Sequence, residues 1–337
     1  MENNTLLSIR NVVKHFDISG GFLEQIRFQR GRFSRKRTIV QAVNDVSIDI
    51  NRGETVSVVG ESGCGKSTLA RCVIRLYHPN SGEIFYNGSR IDNLKTAAIK
   101  PFRTKIQMVF QDPYSSLNPR MTVFETLMEP IRFHIKDINK SEMIDRIAEV
   151  MLQVGVDPDW RTRYPHEFSG GQRQRISIAR ALAVSPEFIV ADEPIAALDV
   201  SIQAQILNLL MDLQEKHGLT YMFISHDLSV VKHISSKVAV MYLGTLCEFS
   251  ETETLYNTPK HPYTRALLSA IPKLGNTTFE HIRLKGDVPT PIHLPPGCVF
   301  HGRCPHANDR CRTEIPKLKR LANGSQVACH GVEEDRI

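Results

Sequence analysis

The stretch Gly60-Glu61-Ser62-Gly63-Cys64-Gly65-Lys66-Ser67-Thr68 follows an apolar run, residues 55–59, and opens a segment with helical spacing, residues 67–76. A glycine, four residues and then Gly-Lys-Ser, placed between a strand and a helix, is the pattern of a phosphate-binding loop whose backbone N–H groups surround an anion. In such a loop Lys66 reaches the β- and γ-phosphates and the Ser67 hydroxyl ligates Mg²⁺. We therefore predict a nucleotide site formed by Gly60, Ser62, Gly63, Cys64, Gly65, Lys66, Ser67 and Thr68, with Cys64 as a small space-filling residue.

A second motif, Phe188-Ile189-Val190-Ala191-Asp192-Glu193, is an apolar strand that ends in two carboxylates. An acidic residue at the end of a buried strand suits a magnesium ion, so Asp192 is the predicted metal partner. The adjacent Glu193 is placed to polarise an attacking water. Downstream of a phosphate-binding loop, this pair predicts nucleotide hydrolysis.

The rest of the chain alternates strand-like and helical segments, which predicts an α/β fold. The expected strands are residues 7–13, 42–50, 55–59, 188–191 and 220–225, and the expected helices are residues 67–76, 141–154, 171–183 and 202–217. After about residue 251 the texture changes to frequent prolines and clustered cysteines, which predicts a boundary near residues 250–260.

Composition is ordinary for a globular chain. Of the 337 residues, 41% are hydrophobic and 23% are charged. No run of about 18 uncharged apolar residues predicts a membrane span, and no secretory signal precedes the first strand, so we expect a cytoplasmic chain. The net charge of +6 is compatible with a membrane surface or nucleic acid and requires neither.

Further motifs resemble those of the ABC (ATP-binding cassette) superfamily. Ser169-Gly170-Gly171-Gln172-Arg173, placed just before a helix, resembles the signature motif. Val109-Phe110-Gln111-Asp112-Pro113 resembles the Q-loop, Ala197-Leu198-Asp199 resembles the D-loop, and His226 resembles the switch histidine. All of them occur in the order that this superfamily shows.

The resemblance implies a role for each of these residues in ATP hydrolysis. Gln111 would touch Mg²⁺ and the attacking water, His226 would contact the γ-phosphate, and Phe16 would stack on adenine. The signature residues would complete the ATP site of an opposite subunit, and Asp199 would communicate across that dimer. The residues implied in the opposite site are Ser169, Gly170, Gly171 and Gln172.

The implied fold is a two-lobed cassette with a RecA-like α/β core and an antiparallel β subdomain. A helical subdomain, about residues 112–168, would lead to the signature. We expect residues 1–255 to form the nucleotide-binding domain and residues 256–337 to form a C-terminal extension.

Four of the seven cysteines, Cys298, Cys304, Cys311 and Cys329, are crowded in that extension, with gaps of 5, 6 and 17 residues. This is not the Cys-x-x-Cys spacing of a zinc ribbon. Four thiolates can hold either Zn²⁺ or a [4Fe-4S] cluster, and four unligated buried thiols are the third possibility. Cys72 and Cys247 lie in apolar runs and are predicted to pack in the core.

His261-Pro262-Tyr263-Thr264-Arg265-Ala266-Leu267-Leu268 resembles the start of the extension in oligopeptide/dipeptide importer ATPases, and residues 111–119 are similar to that subfamily. The resemblance implies a [4Fe-4S] cluster on the four cysteines. It also implies a peripheral position at the cytoplasmic face of the cell membrane. The implied partners are a paralogous ATPase subunit, two membrane permeases and an extracytoplasmic substrate-binding protein, with no nucleic acid.

Other functions remain open at this point. ATPases of the same subfamily serve nickel and cationic antimicrobial peptides. An ABC ATPase acting on DNA or the ribosome is disfavoured because the chain lacks a coiled-coil insertion and a second cassette, and a non-hydrolysing regulatory subunit is disfavoured by Glu193 and His226. The basic segment from Ser19 to Thr38 is expected to be a solvated, partly helical insertion, or else a contact with a membrane or a partner.

Overall fold

The computed structural model of the chain describes residues 4–19, 26–29, 32–35, 37–271 and 282–337. Within these ranges no helix is long and apolar enough to cross a membrane.

The strands of the described residues form two large sheets and a hairpin. In chain order they are β1 (Thr5–Asp17), β2 (Ile26–Gln29), β3 (Arg32–Arg35), β4 (Ile39–Asn51), β5 (Thr55–Val59), β6 (Ser81–Tyr86), β7 (Ser89–Arg90), β8 (Ile106–Val109), β9 (Phe188–Asp192), β10 (Thr220–Ile224), β11 (Lys237–Tyr242), β12 (Thr245–Glu251), β13 (Lys319–Arg320) and β14 (Gln326–Val327). One sheet has the order β13-β14-β12-β11-β5-β10-β9-β8 and the other has the order β4-β1-β6-β7.

Helices fill the connections between the strands. They are α1 (Lys66–Val73), α2 (Thr96–Lys105), α3 (Pro113–Ser116), α4 (Val123–His134), α5 (Lys140–Gln153), α6 (Gly170–Leu182), α7 (Val200–His217), α8 (Leu228–Ile234), α9 (Thr252–Asn257), α10 (Pro262–Ser269), α11 (Asp309–Thr313) and α12 (His330–Glu333), with 3-10 helices at Pro158–Thr162 and Pro165–Glu167.

Five neighbouring strands of the large sheet, β11, β5, β10, β9 and β8, run parallel. Every residue of β5, β9 and β10 is buried, as expected for parallel strands that are covered on both faces. Because the carboxyl ends of parallel strands lie at one edge of a sheet, the loops after β5, β8, β9 and β10 meet there. The predicted α/β fold is confirmed, and this edge carries the candidate site.

Local sequence explains where several helices begin and end. Capping boxes formed by Thr122 with Glu125 and by Asn139 with Glu142 start α4 and α5. The helix predicted over residues 67–76 ends earlier, at Val73. Arg75 has a left-handed φ of 60°, and an α-helix cannot continue through a residue in this conformation.

The four-stranded antiparallel sheet joins the core of the parallel sheet. Leu7 and Ile9 of β1, Val56 of β5 and Leu69 of α1 belong to one buried apolar cluster. This sheet therefore carries Phe16 and the start of β4 to the edge where α1 begins.

The helical connection between β8 and β9 forms a second buried cluster with the other face of the parallel sheet. Its core includes Leu127 of α4, Ile147 and Met151 of α5, and Ile176 of α6. The expected helical segment, residues 112–168, contains α3, α4, α5 and both 3-10 helices, and leads directly into α6.

The basic segment from Ser19 to Thr38 differs from its predicted character. Where its backbone is described, β2 and β3 pair antiparallel, with Phe28 opposite Phe33. The partly helical expectation is wrong for these residues, because the alternation Ile26-Arg27-Phe28-Gln29 has the two-residue period of a strand. Residues 20–25, 30, 31 and 36 lie outside the described residues.

The C-terminal extension returns to the main sheet. β14 pairs antiparallel with β12, and the buried Ser250 and Ser325 hydroxyls lie 2.9 Å apart. Tyr263 and Phe300 of the extension share a buried cluster with Tyr242 of β11. The extension is thus packed onto the cassette, and the boundary near residues 250–260 stays a prediction.

Candidate functional site

The loop between β5 and α1 has a shape that requires glycine at two positions. Gly60 has a φ of 149° and Gly65 a φ of 104°. A Cβ atom at Gly60 would lie 2.1 Å from the Met241 carbonyl oxygen, and one at Gly65 would lie 2.0 Å from the Ala42 carbonyl oxygen. The loop can therefore wrap tightly only with glycines at both positions.

Lys66 begins α1 and turns back over this loop. Its side chain is buried, with the residue 4% exposed. Lys66 Nζ donates to the carbonyl oxygens of Gly60 at 2.8 Å and of Glu61 at 3.1 Å. Gly65 caps α1 without a side-chain hydrogen bond, so the first N–H groups of the helix remain available to an anion.

Ser67 and Asp192 form the next part of the site. Ser67 Oγ donates to Asp192 Oδ1 at 2.8 Å, which joins the start of α1 to the end of β9. Burial raises the pKa of Asp192, and the hydrogen bond from Ser67 opposes that shift. A hydroxyl and a carboxylate side by side are the oxygen donors that Mg²⁺ prefers, so the pair fits a magnesium ion.

Gln111, Glu193 and His226 converge from the ends of three parallel strands. Gln111 Nε2 donates to Glu193 Oε2 at 2.8 Å, and His226 Nδ1 lies 3.5 Å from the same oxygen. Glu193 has a left-handed φ of 47°, a strained backbone for a residue with a side chain. Its N–H donates to the Ile224 carbonyl oxygen at 3.0 Å, which holds it beside β10.

Most of the predicted site residues border one cavity of about 610 Å³, whereas Gly60, Cys64 and Asp192 lie behind its lining. It is lined by Phe16, Val40, Ala42, Ser62, Gly63, Gly65, Lys66, Ser67, Thr68, Gln111, Glu193, His226 and Pro291. At one end Phe16 packs edge-on against Tyr77, with ring centroids 5.2 Å apart. The cavity therefore has an aromatic end and an end rich in N–H groups and cations, as a nucleotide requires.

The signature and D-loop residues lie outside this cavity. Ser169 caps α6 and exchanges hydrogen bonds with Gln172, at 3.3 and 2.9 Å. A Cβ atom at Gly170 would lie 3.5 Å from Leu198, so the start of α6 packs beside the loop that holds Asp199. The structure brings these motifs together on a separate face.

Three lining residues, Val40, Ala42 and Pro291, were not predicted from the sequence. The carbonyl oxygen of Pro291 accepts from the N–H of Gln41 at 2.9 Å, which brings the extension to the aromatic end of the cavity. Pro291 is one of several prolines in its segment, and nothing in the sequence around it indicates such a contact.

The four cysteines of the extension line a second, small cavity. Its other lining residues include His261, His301, His306 and His330. All seven cysteines are free thiols, so no disulfide joins any two of the four. Cys72 and Cys247 are buried in the core, as predicted.

Burial dominates the electrostatics of this second cavity. It raises the pKa of Cys298 to about 12 and raises the pKa values of Cys304 and Cys329. Burial lowers the pKa of His261 to about 3. His330 Nδ1 is buried without a hydrogen-bond partner in the described part of the chain, and the nearest carboxylate oxygen, of Glu333, is 3.8 Å away.

In the described ranges, no three His, Cys, Asp or Glu side chains are arranged so that they could hold a metal ion. The described side chains therefore do not form a set of ligands for the expected zinc or iron–sulfur site.

Comparison with known proteins places both sites in context. Residues 43–196 match the family described as ABC transporter, and residues 247–311 match the family described as oligopeptide/dipeptide transporter, C-terminal region. The chain is 51% identical over 330 residues to the oligopeptide transport ATP-binding protein AppF of Bacillus subtilis, with 97% of each chain covered. It is 46% identical over 331 residues to the di/tripeptide transport ATP-binding protein DppF of Pseudomonas aeruginosa, with 98% of each covered.

Solved structures with the same architecture include the dimer of MJ0796, described as a bacterial ABC transporter cassette. It aligns with a TM-score of 0.63 at 28% identity and covers 73% of this chain and 99% of that chain. A post-hydrolysis dimer of the same cassette bound to ADP and Pi aligns with a TM-score of 0.62, with the same identity and coverage.

Proposed function

The chain belongs to the ATP-binding subunits of the oligopeptide/dipeptide ABC transporters, and on this premise we propose that it powers the import of short peptides across a cell membrane. ATP hydrolysis is the activity of this family. The observation that carries the proposal is the meeting of Gln111, Glu193 and His226 at one edge of the cavity whose floor is the loop around Lys66.

The phosphate end of the cavity supplies positive charge. Lys66 exchanges its loop carbonyl partners for the β- and γ-phosphates, and the N–H groups at the start of α1 donate to the same oxygens. Phe16 stacks on the adenine at the opposite end. Both contacts bind ATP before any bond breaks.

Ser67 and Asp192 would hold Mg²⁺, which would supply positive charge against the phosphate oxygens. Glu193 accepts a hydrogen bond from the attacking water and withdraws its proton as the water oxygen bonds to the γ-phosphorus. The bond from the γ-phosphorus to the β–γ bridging oxygen breaks in the same displacement, and ADP leaves. Gln111 orients the Glu193 carboxylate through their 2.8 Å hydrogen bond, and His226 contacts the γ-phosphate.

A dimer supplies the remaining groups. Ser169, Gly170, Gly171 and Gln172 lie away from the cavity of their own chain, which is where they can face the ATP of a second ATPase subunit. The aligned cassette of MJ0796 is described as dimeric. ATP bound between two such subunits favours the closed dimer, and hydrolysis releases it.

The assembly in this proposal has a paralogous ATPase subunit, two membrane permeases and an extracytoplasmic substrate-binding protein. The chain sits peripherally at the cytoplasmic face of the membrane, where ATP is available. AppF and DppF are described as oligopeptide and di/tripeptide transport ATP-binding proteins, which supports this assembly.

We further propose a [4Fe-4S] cluster on Cys298, Cys304, Cys311 and Cys329. Two buried thiols, two half-buried thiols and the buried Nδ1 of His330, which has no hydrogen-bond partner among the described residues, surround one cavity and support a group that occupies this space. In a cubane cluster each of the four irons binds one thiolate. The four thiols therefore need not converge on a single metal ion, as they must for zinc. When bound, the cluster would hold the extension together, which suits a segment with few buried strands.

The test of the function is uptake of labelled dipeptides and hexapeptides in a strain without other peptide importers. Uptake should require this gene, be lost with Glu193→Gln and persist with Glu215→Gln, an exposed control on α7. If the assembled complex hydrolyses ATP but uptake does not depend on the gene, the peptide cargo is wrong. Nickel and cationic antimicrobial peptides would then be assayed as cargo.

A further inference from the structure

Glu61, the second residue of the phosphate-binding loop, is held by two residues of the C-terminal extension. Arg303 Nη1 lies 2.8 Å from Glu61 Oε2. The Tyr263 hydroxyl accepts a hydrogen bond of 2.9 Å from the Glu61 N–H. These partners are 242 and 202 residues away in the chain, so the contacts exist only through the fold.

On the loop side, Glu61 is connected directly to Lys66. The Glu61 carbonyl oxygen accepts from Lys66 Nζ at 3.1 Å and from the Cys64 N–H at 3.2 Å. Contacts at its N–H and its carboxylate limit where the Glu61 Cα can lie, and so limit the positions open to its carbonyl group. Arg303 and Tyr263 therefore restrict the position from which Lys66 reaches toward a phosphate.

On the extension side, both residues are rigidly supported. Tyr263 is fully buried, and its ring packs 4.8 Å from that of Tyr242 and 5.4 Å from that of Phe300. The N–H of Arg303 donates to the Phe300 carbonyl oxygen at 3.0 Å, in a turn that follows Cys298. The Arg303 side chain is only 10% exposed, so its ion pair with Glu61 is screened weakly by solvent.

We propose that the C-terminal extension positions the phosphate-binding loop for ATP, with Arg303 and Tyr263 as the positioning residues. The extension also lines the aromatic end of the same cavity through Pro291, so it contacts the ATP site at both ends. The inference rests on ATP binding at this loop and is independent of the transported cargo. In this proposal the C-terminal extension is part of the ATPase site, besides being a segment packed onto the cassette.

The test measures ATP affinity of the full-length chain by calorimetry, together with its melting temperature. Arg303→Gln leaves the Glu61 carboxylate without its cation and should weaken ATP binding about tenfold. Arg303→Lys keeps the charge and should recover part of that loss. The double variant Glu61→Gln with Arg303→Gln should bind no more weakly than Arg303→Gln alone, because both changes remove the same pair.

Arg310→Gln is the matched control. Arg310 pairs with Glu314, Glu333 and Glu334, which all lie within the extension. This variant should lower the melting temperature and leave ATP affinity unchanged. In the assembled transporter, Arg303→Gln should raise the KM for ATP by a larger factor than it lowers kcat, which a purely structural defect would not do.

Unchanged ATP affinity in Arg303→Gln overturns the proposal, and so does an equal loss in Arg303→Gln and Arg310→Gln. If Arg303→Gln does not fold, Tyr263→Phe decides the question, since it keeps the buried ring and removes only the hydroxyl. Weaker ATP binding at an unchanged melting temperature supports the proposal, and unchanged binding rejects it. A wild-type chain that binds no ATP would reject the ATP site itself and the inference with it.

Discussion

Gln111 at the end of β8 and Glu193 at the end of β9 are joined by a 2.8 Å hydrogen bond between the side-chain amide and the carboxylate. The two residues are 82 positions apart, separated by the whole helical connection. α3 begins two residues after Gln111, so this contact joins the start of the helical connection to the carboxylate that faces the cavity. The contact offers a direct route from the helical region to the chemistry of the site.

Glu193→Gln should lower the kcat of ATP hydrolysis by roughly 10²–10⁴-fold, because the amide cannot accept the proton of the attacking water. ATP affinity should change little, since Glu193 makes no contact that holds the phosphates. Steady-state ATPase assays of the assembled complex measure the loss of kcat, and calorimetry measures ATP affinity. A variant that turns over at the wild-type rate would show that the base is another residue.

Asp192→Asn should stabilise the nucleotide-free protein at neutral pH while it abolishes magnesium-dependent hydrolysis. Burial raises the folded-state pKa of Asp192, so its ionised form costs stability once the pH exceeds that pKa. The gain in melting temperature should therefore shrink as the pH falls through the raised pKa, where wild-type Asp192 takes up its proton. Thermal melts of both proteins across this range test it; a lower melting temperature for Asp192→Asn at neutral pH would contradict it.

Stability should fall as the pH drops from about 6.5 toward 3, in part because of His261. Burial, reinforced by Arg265, lowers its pKa to about 3 from the usual 6.5, so the folded state excludes a proton that the unfolded chain binds. At pH 5 this amounts to about 2 kcal/mol lost relative to neutral pH.

The control for this pH dependence is His261→Asn. His261 Nδ1 accepts from the Tyr263 N–H at 3.1 Å at the start of α10, and asparagine can make the same cap without titrating. Urea unfolding at pH 7.5 and pH 5 should show a smaller difference for the variant. The same difference in both proteins would assign the pH effect to other groups.

Protein purified without oxygen should be brown and contain iron and sulfide if the four cysteines hold a cluster. Cys311→Ser should lose the colour and the iron, whereas Cys72→Ser, a buried cysteine in α1, should keep both. Elemental analysis and the visible absorption spectrum check this. Colourless protein with one zinc per chain would replace the cluster with zinc, and metal-free wild-type protein would leave four free thiols.

Local patterns accounted for much of the fold and for most of the candidate site. The phosphate-binding loop, the carboxylates after β9 and the signature before α6 each depend on short stretches whose residues act together. The hairpin β2–β3 was mispredicted because the two-residue alternation in residues 26–29 was overlooked within a segment read mainly by its charge. The contributions of Pro291, Tyr263 and Arg303 to the cavity and its loop had no signal in the sequence.

The sequence by itself determined the family and the α/β class and predicted the phosphate-binding loop, because each depends on the order and spacing of neighbouring residues. Tertiary structure alone decided that the extension closes back onto β12 and that Arg303 meets Glu61. Those contacts, like the one between the Ser250 and Ser325 hydroxyls, join positions at least 75 residues apart. The periodicity of the sequence cannot indicate such a contact, because the contact becomes favourable only when burial brings the two segments together.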